Sequence, residues 1–213
     1  SEMSSVLVQD VSNALLYQKI GKCPGPNGLC MEAFIYVRND VRIHLALLFT
    51  ACLRHCFLPV SFMHVNITPI VKNRGGDITD IENYRAIAVS NVDTKLFERI
   101  LLVSIERYDV VDNYQFGFKK RHSTSLCTET VKNVIDYYTS RGSHVFMCFV
   151  DVSKAFGRVN YWKLFSQLLS DGVDIFLVKL LAHWYVNQEV YVTWNNRKSS
   201  GFLVSNGTKQ GGV

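Results

Sequence analysis

Between His144 and Asp151 six apolar residues follow one another without alternation, Val145-Phe146-Met147-Cys148-Phe149-Val150, and the run stops at a carboxylate. A run of this length reads as a strand, and because it does not alternate, both of its faces must be covered by other elements. That requirement asks for a layered architecture of mixed α and β structure. The turn residues Ser153-Lys154 come next, so Asp151 stands where a strand gives way to a polar turn. This is how a metal-binding aspartate is presented.

The rest of the chain supplies the covering elements. From Val6 to Ile20 the residues Val8, Val11, Leu15 and Leu16 recur at three-to-four spacing, which predicts an amphipathic helix ahead of the Pro24-Gly25-Pro26-Asn27-Gly28 turn. Further helices are predicted over Val41–Phe57, Thr94–Tyr108, Thr124–Thr139, Trp162–Ser170 and Ile175–Val186. Ser61–Lys72 holds short apolar runs broken by Pro69 and followed by Gly75-Gly76-Asp77, a pattern that predicts an extended segment folded back as a hairpin. Glu189–Trp194 and Gly201–Val204 alternate, and the polar Asn195-Asn196-Arg197-Lys198 between them marks a second hairpin turn. No internal repeat or low-complexity segment interrupts this order. The fold class is therefore α+β, with helices and a hairpin first and a part built around the Asp151 strand after them.

Composition narrows the partners. The chain has 213 residues, of which 48% are hydrophobic, enough to bury a core. A net charge of +5 from 23 basic and 18 acidic residues is compatible with a polyanionic partner without demanding one. The six cysteines show no C-x-x-C and no zinc-type spacing with histidine, so free thiols in a reducing intracellular compartment, cytoplasm or nucleus, are expected. Cys52 and His55 share one helix as a buried thiol and a surface histidine, and Cys148 is expected to act as a small hydrophobe inside its strand. Arg42, His44 and Arg54 interrupt the longest helix-like apolar stretch, so no membrane span is expected. There is no secretory leader pattern, no G-x-S-x-G elbow for a serine hydrolase, and no glycine pattern in the strand-to-helix context of a dinucleotide or P-loop site.

Seven short motifs occur in one order: Lys22-Cys23-Pro24-Gly25-Pro26-Asn27-Gly28, Ile67-Thr68-Pro69-Ile70-Val71-Lys72, Asn83-Tyr84-Arg85, Gln115-Phe116-Gly117-Phe118, Ser123-Thr124, Phe149-Val150-Asp151-Val152-Ser153-Lys154-Ala155-Phe156, and Gly207-Thr208-Lys209-Gln210-Gly211-Gly212. In this order they resemble the reverse transcriptases of non-LTR (LINE-like) retrotransposons and their group II intron relatives. That family carries F-x-D-x-S-K-A-F-D and G-x-x-Q-G-G at the last two positions. The resemblance runs almost end to end. It implies the fingers (residues 1–142) and incomplete palm (residues 143–213) of a right-hand polymerase, with RNA template, DNA primer and deoxynucleoside triphosphates as partners and Mg2+ or Mn2+ as cofactor.

The same resemblance assigns roles. Two-metal nucleotidyl transfer needs carboxylates converging on hard cations, and Asp151 matches one of them. An isolated aspartate at a strand end caps the next turn, but Lys154-Ala155-Phe156 at the family's offsets favours the metal ligand. Phe156 would lie beneath the incoming sugar and exclude a 2′-hydroxyl. Lys72 and Arg85 would grip the triphosphate, Arg85 in bidentate fashion and Lys72 as a point charge. Gln210 and Gly211 would approach the nucleotide and template base. Lys119, Lys120 and Arg121 form the densest basic cluster, readable either as a phosphate-backbone contact or as a solvated loop. Gly157 and Ala86 replace the family's usual aspartate and proline at their positions.

In the family an aromatic-x-Asp-Asp turn follows the Gln-Gly-Gly motif, and this sequence stops before it. With Asp151 as the one catalytic carboxylate, the 213 residues alone are expected not to polymerise, and the Asp151 strand is expected to expose Phe149. The alternative to a polymerase fragment is a non-catalytic nucleic-acid-binding remnant or pseudogene product.

Overall fold

The computed structural model describes residues 5–108, 112–119 and 121–212. The chain forms two compact units, one made of Ser1–Tyr108 and Lys154–Val213, the other of Asp109–Ser153. In chain order the elements are helices α1 (Val8–Leu16), α2 (Met31–Ile35), α3 (Asn39–His55) and α4 (Val60–Met63), strands β1 (His64–Val71) and β2 (Tyr84–Val89), and helices α5 (Val92–Ile105), α6 (Thr124–Thr139), α7 (Tyr161–Ser170) and α8 (Ile175–Val186). Strands β3 (Glu189–Trp194), β4 (Arg197–Lys198) and β5 (Phe202–Leu203) follow. None of the helices among the described residues is long and apolar enough to cross a membrane.

In the first unit, helix periodicity sets the core. α3 buries Leu45, Ala46, Phe49, Cys52 and Leu53, and α5 buries Leu96, Phe97, Ile100 and Leu101, each set falling on one stripe. The stripes meet through rings. Phe97 stacks on Phe49 at 4.9 Å and on Trp184 of α8 at 6.0 Å, while Phe62 of α4 lies 6.3 Å from both phenylalanines. The ends of these helices follow from local chemistry. α3 stops at Cys56, which turns left-handed at φ 46, and the side chains of Asn160 and Asp174 accept the N–H groups of Lys163 and Phe176 to open α7 and α8.

The sheet runs β2-β1-β3-β4, with β5 also paired to β3. β1 is antiparallel to β2 and parallel to β3, so it is central over Asn66–Ile67, where the two registers overlap. Pro69 was expected to break this segment, yet it sits inside β1 opposite Ala86. It lies beyond Ile67, the last residue of β1 paired with β3. There the strand has β2 alone as neighbour, and a missing N–H can face an unpaired side. Val65, Ala88 and Val190 bury one face of the sheet together with Ile67 and Val204. The β3–β4 turn places Asn195 and Asn196 at φ 46 and 60, two left-handed residues in succession as a two-residue hairpin requires. Arg197 and Lys198, read from sequence as turn, form β4.

The second unit departs from expectation. Helix α6 spans Thr124–Thr139 as predicted, opened by the Ser123 hydroxyl accepting the N–H of Leu126, and none of its residues is buried. The predicted strand over His144–Asp151 is not one. The segment has no ladder partner among the described residues; Phe146 is 93% exposed instead of covered, and Phe149, expected to be exposed, is 84% exposed. Cys148 is likewise exposed. The reason is that a strand exists only as a pair. An apolar run supplies the propensity, and without a hydrogen-bonded neighbour that propensity has nothing to act on.

All six cysteines are free thiols. Burial pushes the Cys52 thiol from 9.0 up to about 11. Burial first, then Glu98 and Tyr161, pushes the Tyr185 hydroxyl from 10.0 up to about 12. Both folded-state values lie above the unfolded ones, so the folded state holds these protons more tightly. Their stabilising contribution is complete below about pH 9 and is lost as pH rises to about 12. Urea unfolding from pH 8 to 12 is expected to show this decline, and Cys52→Ala to flatten its lower part. A flat profile in the parent protein would contradict it.

Candidate functional site

The β1–β2 hairpin carries two of the expected site residues. Lys72 follows the last residue of β1, and Arg85 lies on β2 opposite Ile70, with both side chains exposed. The loop between the strands is stitched by amides. Asn83 Nδ2 donates to the carbonyls of Asn73 and Asp77, each at 3.0 Å, and its Oδ1 accepts the N–H of Asn73 at 3.0 Å. The Tyr84 hydroxyl donates to the carbonyl of Ile78 at 2.8 Å. Lys72 Nζ donates to the main-chain carbonyl of Glu82 at 2.7 Å, and the Glu82 carboxylate accepts Lys154 Nζ at 2.6 Å.

The Gly207–Gly212 segment is docked at two points. Gly207 and Thr208 donate to the carbonyls of Val159 and Phe156 at 2.8 and 2.7 Å. Gly207 has φ 85, and a β-carbon there would lie 3.1 Å from both Gly157 Cα and the Gly157 carbonyl, so only glycine allows the two backbones to approach this closely. Three residues on, Gln210 forms a parallel bridge with Ile87 of β2, its carbonyl accepting the Ala88 N–H at 2.7 Å. Gly211 follows at φ 109, where a β-carbon would stand 3.0 Å from the Ala88 carbonyl. Lys72, Arg85, Phe156, Gln210 and Gly211 therefore belong to one unit, and Phe156, Gln210 and Arg85 are linked through main-chain bonds. Gly211 and Gly212 also line a cleft of about 860 Å³, whose described lining residues include Lys19, Lys22, Lys95 and Arg99 and no carboxylate.

Between the two docking points Lys209 makes an ion pair with Glu98 of α5, the two side chains being 13% and 15% exposed. Its ammonium also lies 5.1 Å from the ring centroid of Trp184. The second carboxylate oxygen of Glu98 is buried without a hydrogen-bond partner.

The other expected residues fall in the second unit. Asp151 is exposed in the unpaired segment. Lys119 donates to the Asp112 carbonyl and to Asn113 Oδ1, both at 3.2 Å, and Arg121 sits at φ 62 in an exposed loop. Lys120 lies outside the described residues. A Mg2+ or Mn2+ ion takes about six oxygen ligands. Asp151 is a suitable donor for one position, but no three His, Cys, Asp or Glu side chains converge among the described residues. These residues do not by themselves fit a metal cage.

Sequence reasoning missed the Lys154–Glu82 and Lys209–Glu98 pairs. Their partners are 72 and 111 residues apart in the chain, and no local pattern pairs charges over such separations.

Residues 71–213 match the family profile described as reverse transcriptase (RNA-dependent DNA polymerase). The chain is 26% identical over 98% of its length to the RNA-directed DNA polymerase from mobile element jockey of Drosophila funebris. It is 24% identical over 96% of its length to the probable RNA-directed DNA polymerase from transposon X-element of Drosophila melanogaster. Against the putative 115 kDa protein of the type-1 retrotransposable element R1DM, from the same fly, identity is 25% over 81% of the chain. The chain spans 23% of the length of the first two relatives and 18% of the third.

Proposed function

The chain belongs to the reverse transcriptase (RNA-dependent DNA polymerase) family, and from that premise we propose that it is the fingers and partial palm of a retrotransposon RNA-directed DNA polymerase. The observation that carries this reading is the linkage of three motif segments distant in sequence. β2 bears Arg85, its neighbouring backbone bridges to Gln210, and the same loop is hydrogen-bonded to Phe156 through Thr208. A polymerase needs these groups together because phosphate, sugar and base of one nucleotide are read at once.

In this reading the Arg85 guanidinium makes paired N–H bonds to phosphate oxygens and Lys72 adds a point charge. Phe156 excludes a 2′-hydroxyl, and Gln210 with Gly211 approaches the nucleotide and template base. Asp151 would supply one oxygen ligand of a Mg2+ or Mn2+ ion, whose other ligands the described residues do not supply. Lys119, Lys120 and Arg121 contact the phosphate backbone. RNA template and DNA primer are the macromolecular partners. The cleft walled by Lys19, Lys22, Lys95 and Arg99 supports a polyanionic strand there. The fingers comprise residues 1–142 and the partial palm residues 143–213, a division by role and distinct from the two compact units.

Titration of the 213-residue protein with a deoxynucleoside triphosphate by calorimetry tests the nucleotide grip. Loss of charged hydrogen bonds in Arg85→Ala is expected to weaken binding about tenfold or more, with Arg85→Lys recovering part of the loss. Equal affinity in Arg85→Ala and the parent protein would remove Arg85 from the site.

A further inference from the structure

The loop between β1 and β2 holds three carboxylates, Asp77, Asp80 and Glu82. Two of them serve the loop itself. Asp77 accepts the hydroxyl and N–H of Thr79 at 2.6 and 2.8 Å, and these bonds hold its carboxyl below the ordinary range. Asp80 accepts the N–H of Glu82 at 2.9 Å and so caps the short turn Ile81–Asn83. Glu82 alone of the three reaches away, to Lys154 Nζ at 2.6 Å, while its main-chain carbonyl holds Lys72 Nζ at 2.7 Å. One residue thus takes two ammonium groups, three positions before Arg85. Lys154 stands at φ 56, a left-handed conformation that residues with a β-carbon adopt sparingly.

A carboxylate and a phosphate present the same kind of oxygen to an ammonium. Where a loop already offers Lys72 and Arg85 to a triphosphate, a carboxylate resting on a neighbouring lysine occupies a donor that phosphate would otherwise use. We propose that Lys154 is a third cation for the triphosphate and that Glu82 is its internal stand-in, holding the ammonium until phosphate oxygens displace the carboxylate. Both side chains are more than half exposed, and an exposed ion pair is weak enough for a phosphate to exchange with it. The inference rests on the nucleotide reading of Lys72 and Arg85 given above.

The test is a double-variant cycle on the 213-residue protein. Inorganic tripolyphosphate and dTTP serve as probes at low salt, and thermal unfolding checks that each variant keeps its fold. Glu82→Gln keeps the side chain's shape and removes its charge. It is expected to tighten both probes about threefold, the size of a weak surface ion pair. Lys154→Gln is expected to weaken both, and Glu82→Gln made in the Lys154→Gln background to give no gain. A general rise in surface potential would tighten binding equally in both backgrounds, and that result overturns the proposal, as does no tightening in Glu82→Gln. Arg85→Ala separates the two levels of argument. If it weakens dTTP while the cycle shows no coupling, the stand-in fails and the nucleotide site survives. If the parent protein shows no Arg85-dependent binding, both fall.

Discussion

Lys209→Met is expected to lower the unfolding free energy by about 3–5 kcal/mol, the range for removing one partner of a buried ion pair. Methionine conserves most of the side chain's length and its contact with the Trp184 ring. The loss would therefore come from Glu98, left charged at 15% exposure with one oxygen already lacking a hydrogen bond. Glu98→Leu in the same protein removes the stranded charge and is expected to recover most of the loss, since an apolar pair in such a place is often as stable as the ionic one. Urea unfolding of the parent, the single variant and the pair measures this directly. A single variant within 1 kcal/mol of the parent would show that water reaches Glu98. The effect also bears on the proposed nucleotide site, because Lys209 adjoins Gln210. With the pair broken, the bridge between Gln210 and Ile87 loses its nearest side-chain anchor, and nucleotide affinity is expected to fall with stability.

Phe97→Ala is expected to be as damaging, at about 3–5 kcal/mol. Phe97 is fully buried and touches a ring on each of three helices, Phe49 of α3, Phe62 of α4 and Trp184 of α8. No one neighbour can move into the vacated space without leaving the other two, so the cavity persists and its cost adds to the lost transfer energy. With about 2–4 °C of melting temperature per kcal/mol for a chain of this size, calorimetry should register a fall of roughly 10 °C. Tyr138→Ala on the half-exposed face of α6 serves as control and is expected to stay within about 0.5 kcal/mol. A Phe97 variant that melts like the control would mean that the ring cluster is not the centre of the fold.

What the sequence disclosed and what it withheld divide along a physical line. α6 and α8 were legible to their end residues because the signals are local, an apolar spacing in α6 and a long apolar run in α8. The Asn195-Asn196 turn was legible for the same reason. α2 and α4 were not, since five and four residues are too few to display a period. The segment 144–151 was misread because strand propensity describes one chain and pairing requires two. The candidate nucleotide residues were proposed from ordered motifs, and the linkage of their segments through Thr208 and Gln210 could not be read there. The glycines at 211 and 212 hinted at close backbone contact without naming Ala88 as the other side of Gly211, and the contact of Gly207 with Gly157 was not foreseen.

The parallel pairing of β1 with β3 also sets a timetable. His64–Ile67 must wait for Glu189–Val192, and Trp184, which completes the ring cluster, is made only shortly before. On the ribosome the hairpin of β1 and β2 and helices α1 to α5 emerge before β3, and they must persist with one sheet edge and one face of Phe97 unmet until Trp184 and Glu189–Val192 have appeared. A pause or break in synthesis before Val192 would release a chain that already has most of its helices but cannot close its sheet. Such nascent chains are natural clients for chaperones that hold apolar surface during translation.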